Sequence, residues 1–239
     1  PLVATFDDLL VVQGHDTTID QLRHRRAALP ELADLARVES DLAALEATLA
    51  GVTVERDEIA RRQKRLEDEL AGVEAKIKEA EARLFSGSIT APRELQALQA
   101  DVESLRRRAG TLEDGVLEAM TEREPLDEQI GQLEARRAQL DGDGARLRVA
   151  RAEAEAAIDA QVATEAAART QAAAALPADL SRLYEDLRRK LGGVGAARLV
   201  QGRCTGCHLA LPATEVDRIR REPPDTLVRC DQCGRILVR

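Results

Sequence analysis

From Leu35 onward, seam positions recur in alternating steps of three and four residues: Leu35, Val38, Leu42, Leu45, Leu49, Val52, Arg56, Ile59, Gln63, Leu66, Leu70, Val73, Ile77, Ala80 and Leu84. Only Arg56 and Gln63 interrupt the apolar run. A spacing held this long marks a coiled-coil seam, since the face of a globular helix is broader and shorter. Fifty such residues, each rising 1.5 Å, predict a rod on the order of 75 Å long. Phe85-Ser-Gly-Ser-Ile-Thr-Ala-Pro92 breaks the pattern with turn chemistry. Thr90 is the expected cap, with Pro92 in the first turn of the next helix and Glu94 close behind. The seam then resumes at Leu95, Leu98, Val102, Leu105, Ala109, Leu112, Val116, Ala119, Arg123, Leu126, Ile130, Leu133, Arg137, Leu140, Gly144 and Leu147. Two seams joined by a short loop predict an antiparallel hairpin.

A fold-back gives facing residues a constant residue-number sum. Leu84/Leu95, Ile77/Val102, Leu70/Ala109 and Leu49/Ile130 share one sum, and Val73/Leu105, Leu66/Leu112 and Leu45/Leu133 share the sum one lower. A single register therefore serves nearly every apolar layer. The same register sets Arg56 opposite Arg123, beside Pro125. Like charges and a missing N–H predict a bend within residues 118–130.

Outside the seams the pattern is less regular. Residues 6–29 read as a short amphipathic helix with Phe6, Leu9, Leu10, Ile19 and Leu22 on its apolar face. Gly14 and the capping trio Asp16-Thr17-Thr18 suggest weakened continuity in its middle. Leu29-Pro30 marks a restart, because proline fits a first helical turn. Beyond Leu147 the chain is Ala-rich through Ala175, and Leu176-Pro177 ends that helix. Leu180, Leu183, Tyr184, Leu187 and Leu191 form one more stripe, expected to pack on the base of the stalk. Gly192, Gly193 and Gly195 are expected to form a hinge. The predicted fold is mostly α: a long coiled-coil hairpin over residues 1–191 and a small C-terminal module over 192–239 with short strands and one helix.

Composition narrows the picture. Of 239 residues only Phe6, Phe85 and Tyr184 are aromatic, and a third are charged. Such a chain buries stripes; it does not build a thick core. No apolar run is long enough to span a bilayer, and Asp7-Asp8 replaces the basic start of an export signal. A cytoplasmic protein with no membrane partner is the expectation. The net charge is −8, yet residues 198–239 hold eight Arg against five acidic residues, a balance of +3. That leaves −11 on residues 1–197, the difference between −8 and +3.

The chemistry lies in the last forty residues. Cys204-Thr-Gly-Cys207 and Cys230-Asp-Gln-Cys233 contain every cysteine of the chain, with 22 residues between the pairs. Each C-x2-C pair presents two thiolates from one turn, and two pairs complete a closed tetrahedral site with no position for water or substrate. One structural Zn2+ is expected, since reducing compartments favour metal ligation over disulfides. Val200–Arg203 and Leu227–Arg229 read as strands entering the two turns, and Ile236–Val238 as a strand leaving the second. Thr214 is placed as the cap of a helix ending at Arg221 before Pro223-Pro224. Cys204-x2-Cys207-His208 also fits a haem-attachment motif, but that reading ignores the second pair. His208 is assigned to the surface or to the surroundings of the metal.

A catalytic reading finds no support. His15 and His24 have no nearby nucleophile or paired carboxylate in sequence, and no phosphate-binding loop is present, so neither an enzyme nor a small-molecule substrate is expected. Nucleic-acid contact is the leading expectation, through Arg203, Arg218, Arg220, Arg221, Arg229, Arg235 and Arg239, with Arg106-Arg107-Arg108 near the hairpin tip as a second spot. Scarce aromatics argue against base stacking. The alternative is an adaptor that binds protein partners through the hairpin or ribbon.

The tip sequence Pro92-Arg-Glu-Leu-Gln-Ala-Leu-Gln-Ala-Asp-Val-Glu-Ser-Leu-Arg-Arg-Arg108, the four cysteines and Cys230-Asp-Gln-Cys-Gly-Arg-Ile-Leu237 together resemble one bacterial family. These are the C4-type zinc-ribbon proteins with an N-terminal coiled-coil hairpin. The early Leu10, Gln13 and Asp16, and Pro177 with Tyr184, belong to the same likeness. The resemblance implies a nucleic-acid-binding protein or regulatory adaptor of the transcription machinery. Some relatives bind the sigma factor of the nitrogen and flagellar class, others flagellin messenger RNA. Ser88-Ile-Thr at the tip and the Val-Arg ending depart from the family pattern without touching the ligands.

Overall fold

The computed structural model describes residues 2–87 and 89–239, with side chains from Phe6 onward; Ser88, part of the expected tip turn, lies outside them. Four helices come first: α1 (Leu2–Ala27), α2 (Pro30–Phe85), α3 (Pro92–Ala174) and α4 (Ala178–Lys190). A ribbon follows, built from β1 (Ala196–Val200), β2 (Arg203–Cys204), α5 (Ala213–Arg221) and β3 (Ile236–Val238). Packing divides the chain into two units, one of Leu35–Arg146 and one of Pro1–Asp34 with Leu147–Arg239.

In the Leu35–Arg146 unit, α2 and α3 meet along the predicted seam. Val73, Ala109 and Leu112 form its buried cluster, with Leu66, Leu70, Ile77 and Leu105 packed around them. Two helices cover each other incompletely, so most seam residues stay half-buried. Ion pairs such as Arg62–Glu122 and Arg108–Glu69 (3.7 Å) cross between the helices at the solvent edge. At the tip, the first bonds of α3 run from the Glu94 and Leu95 N–H groups to the Ala91 carbonyl. Ala91 therefore holds the cap position expected for Thr90.

Beside Pro125 the expected clash of like charges is compensated. Helix α3 continues unbroken through the proline, which removes one donor but leaves the remaining ladder. Arg123 donates to Asp127 (3.1 Å) and to Gln63 (2.9 Å). Arg56 also turns to Asp127, at 3.8 Å, and to Asp57. One carboxylate thus serves both guanidinium groups, and Gln63 is buried between the helices as a satisfied polar layer. Like charges facing each other are screened by the acid inserted between them.

The other unit is organised around α1. Leu9 and Val12 are almost fully buried and pack on Leu176, Tyr184, Leu187, Ala196 and Ile236. The α4 stripe thus packs on α1. Helix α1 shows no break at Gly14. Thr17 and Thr18 bond back to the Gln13 and Gly14 carbonyls, which an unbroken helix permits. Gln13 and Asp16 are buried on the same face as Leu9 and Val12. His15 Nδ1 meets the Glu165 carboxylate at 2.6 Å and Arg26 reaches Asp159 at 3.0 Å, so the Ala-rich end of α3 lies against α1.

The ribbon sheet has order β2-β1-β3, with β1 antiparallel to β2 and parallel to β3. The first strand sits earlier than expected. Gln201 and Gly202 adopt positive φ and form the turn between β1 and β2, inside the stretch assigned to a strand. Leu227–Arg229 contributes only an isolated bridge, Arg229 to Ile236. Helix α5 starts from Pro212, whose carbonyl accepts the Glu215 and Val216 N–H groups at 3.0 Å; Thr214 already lies within the helix.

Candidate metal centre

The two cysteine pairs occupy turns of the same construction. In the first, the Cys204 carbonyl accepts the His208 N–H at 2.8 Å and the Cys204 N–H reaches the Leu209 carbonyl at 3.1 Å. In the second, the Cys230 carbonyl accepts the Gly234 N–H at 2.7 Å and the Cys230 N–H reaches the Arg235 carbonyl at 2.9 Å. The residue after each second cysteine takes the left-handed conformation, His208 at φ 60° and Gly234 at φ 74°. His208 therefore fills the turn position that Gly234 fills in the other knuckle.

The four sulfurs converge. All lie within 4.8 Å of one another, with Cys204–Cys233 at 3.9 Å and Cys207–Cys230 at 4.0 Å. A tetrahedral zinc with Zn–S bonds of about 2.3 Å sets sulfur pairs about 3.8 Å apart. The donor set fits one Zn2+ with no open coordination position. Burial pushes the Cys230 thiol up to about 12 and raises Cys204 as well. At half-buried Cys233 burial again pushes upward, but hydrogen bonds from Arg235, Cys230 and Cys207 together outweigh it and bring the thiol down to about 7. A bound cation compensates four clustered thiolates in this half-buried setting.

The ribbon is mounted on the helices by polar contacts. Gln13 Oε1 accepts the Gly195 N–H at 2.7 Å and the Ala196 N–H at 3.3 Å, while its amide donates to the Gly193 carbonyl at 3.1 Å. Arg235, two residues past Cys233, donates to the Val194 and Leu191 carbonyls, both at 2.9 Å. Arg188 reaches Asp20 at 2.7 Å. A Cβ on Gly195 would lie 2.8 Å from the Tyr184 carbonyl oxygen, so glycine is needed here for close approach. Gly192 and Gly193, at φ 71° and 95°, turn the chain out of α4. The expected hinge is instead a pinned joint.

Behind the joint lies a buried charge cluster. Asp16 accepts the Tyr184 hydroxyl at 2.7 Å and Arg169 Nε at 3.2 Å, and Arg188 Nε lies 3.5 Å away. Arg169 also pairs with Glu185. Burial, followed by the bond to Asp16, pushes the Tyr184 phenol above its ordinary range, so it stays a donor. Gln13, Asp16 and Tyr184 belong to the likeness noted in the sequence, but no role followed from it. Their only other signal is polarity inside an apolar stripe.

The candidate arginines fall into two groups. Arg239 donates to the Ile219 and Glu222 carbonyls at 2.8 Å, Arg235 holds the joint, and Arg229 donates to the Gly234 carbonyl at 2.8 Å. Arg218 pairs with Glu215 and Glu222, Arg220 with Asp217, and Arg203 makes a long 3.5 Å contact to the His208 carbonyl. Arg220 and Arg221 are exposed in the last turn of α5. On the hairpin, Arg106 pairs with Glu81, Arg107 with Glu103 and Arg108 with Glu69.

Comparison with known proteins finds the CT398-like coiled coil hairpin domain over residues 12–192 and the C4-type zinc ribbon domain over residues 203–237. The uncharacterized protein Rv2229c of Mycobacterium tuberculosis is 32% identical over 238 residues, covering 99% of this chain and 96% of that protein. ML1638 of Mycobacterium leprae is 25% identical over 225 residues, covering 92% and 94%. A solved structure from Mycobacterium smegmatis superposes with a TM-score of 0.90 at 26% identity, covering 99% and 98% of the two chains. CT398 from Chlamydia trachomatis shares the fold, with a TM-score of 0.69 at 18% identity and coverage of 99% and 98%. Among the described residues no helix is long and apolar enough to cross a membrane.

Proposed function

The chain belongs to the family of CT398-like coiled coil hairpin proteins and carries a C4-type zinc ribbon, and from that premise we propose that it is a non-catalytic regulatory adaptor working through protein contacts. The zinc builds a surface; it performs no reaction. The observation that carries the reading is the internal engagement of the arginines. Arg235 and Arg239 hold backbone carbonyls of the same chain. A phosphate backbone would have to displace these partners. Residues 192–239 act as the metal-dependent folding module and residues 1–191 as its support. A component of the transcription machinery, such as a sigma factor, is the partner class that the family likeness suggests, and the cytoplasm is the compartment that keeps four thiols reduced.

Nucleic-acid contact is the second reading. It is favoured by Arg220 and Arg221, exposed together at the end of α5, and by the +3 balance of residues 198–239. Affinity purification of the full chain from native lysate, with and without nuclease, separates the two. An adaptor retains its partner after nuclease and after Arg220→Ala with Arg221→Ala. Loss on nuclease treatment, with binding that falls steeply with salt, overturns the adaptor reading in favour of nucleic acid.

A further inference from the structure

On the unit that carries the ribbon, an apolar hollow lies where α1, α4 and the loop before the second knuckle meet. Phe6, Pro177, Leu180, Leu183 and Leu227 line a space of about 290 Å³, with Asp179 and Asp225 on its rim. Apolar residues left at the surface in one contiguous patch mark contact sites more often than scattered ones do. Leu227 remains 41% exposed while the next residue, Val228, turns inward at 5%. Phe6 also borders a second hollow of about 240 Å³ that reaches Thr226 and Val238. The walls come from both the helical base and the ribbon, so the groove exists only while the Gln13 and Arg235 contacts hold the ribbon in place.

The charged side chains that line the apolar hollow are acidic. Among the described residues, both charged members of the lining are carboxylates, Asp179 and Asp225. Asp179 pairs with Arg182 across one turn at 2.8 Å, but both side chains are largely exposed, and such a pair is weakly held. Asp225 is exposed. We propose that this groove docks a peptide segment of a protein partner that presents large aliphatic side chains flanked by lysine or arginine. The apolar side chains enter the hollow and the cations meet Asp179 and Asp225. The inference rests on the adaptor reading and names the surface and the chemistry of what that adaptor binds.

The test uses the zinc-loaded full chain, methyl-labelled for NMR, with two synthetic fluorescent peptides, KLLKKLLK and ELLEELLE. The expected result is binding of the lysine peptide alone, with shifts at the Leu180, Leu183 and Leu227 methyls. Leu227→Asp weakens it about tenfold by removing the apolar wall, and Asp225→Lys about threefold by removing one exposed attraction. Zinc content and circular dichroism verify that each variant is folded. Asp225→Lys alters only an exposed residue and carries the test alone if Leu227→Asp does not fold. Equal binding of both peptides, shifts elsewhere, or affinities unchanged in both variants overturn the proposal. So does self-association of the free chain abolished by Leu227→Asp, which would make a second copy the occupant. A nuclease-resistant partner from lysate that both variants retain refutes the groove and leaves the adaptor standing, whereas nuclease-sensitive capture refutes the adaptor reading itself.

Discussion

Between Leu35 and Arg146 two helices share a shallow apolar stripe repeated layer after layer, whereas the unit containing α1 and the ribbon relies on a few buried polar groups that each touch several elements. In the first unit no layer is decisive: Val73, Ala109 and Leu112 contribute alongside neighbours that do the same work. In the second, Asp16 alone meets Tyr184, Arg169 and Arg188, and Gln13 alone meets three backbone groups of the ribbon joint. Repetition tolerates loss, and convergence does not. The hairpin gains length and a fixed register from its repeats, while the base gains one fixed orientation of the zinc module.

Removing the metal tests this contrast most severely. Chelation, or Cys230→Ser, should unfold the ribbon, because structural zinc supplies roughly 10–16 kcal/mol of apparent folding energy to such modules. Circular dichroism should keep the helical signal of α2 and α3 while protease begins to cut within residues 198–239. Zinc retention should weaken on acidification, as protons compete for the thiolates. A metal-free ribbon that resists protease would remove the metal from the account.

A smaller effect is expected from Asp16→Ala. It leaves Arg169, Arg188 and the Tyr184 hydroxyl facing an uncharged site, and losing one partner of a buried ionic cluster costs about 3–5 kcal/mol. Chemical denaturation should show the base unit melting first, with amide exchange rising around Gly193 to Ala196. A uniform loss over the whole chain would show the two regions to be one cooperative block. The smallest effect is expected from Arg108→Ala. Its pair with Glu69 is largely exposed, so the midpoint should move by less than about 1 kcal/mol. A larger shift would mean that hairpin stability is held at single points after all.

The same contrast explains what is legible in the amino-acid sequence. The seams announce themselves by period, and the register by arithmetic over the leucines, because a repeat leaves many copies of one signal. The C-x2-C pairs are legible for a related reason: tetrahedral ligation restricts residue type and spacing together. Asp16 and Gln13 leave no such trace. Their partners across the fold lie 153 to 183 residues away, and the polarity of Asp16 reads locally as a cap within α1. The glycines after α4 spoke of backbone freedom, but positive φ and close approach need glycine in a rigid joint as much as in a hinge. The first strand was displaced because alanines open β1, and its parallel partner β3 lies some forty residues on. Arg56 and Arg123 share one acid, Asp127, which lies on the flank that heptad reading ignores.

The reach of Gln13 also orders events in time. Its partners Gly195 and Ala196 do not exist when α1 leaves the ribosome. At synthesis rates of roughly 5–20 residues per second, α1 waits about 10–40 s for them. Meanwhile α2 and α3 close around a loop of a few residues, a local event that needs nothing synthesised later. Helix α1 is thus made well before the elements that seat it. Until the ribbon arrives, the nascent chain carries the apolar face of Leu9 and Val12 without the C-terminal elements that bury it.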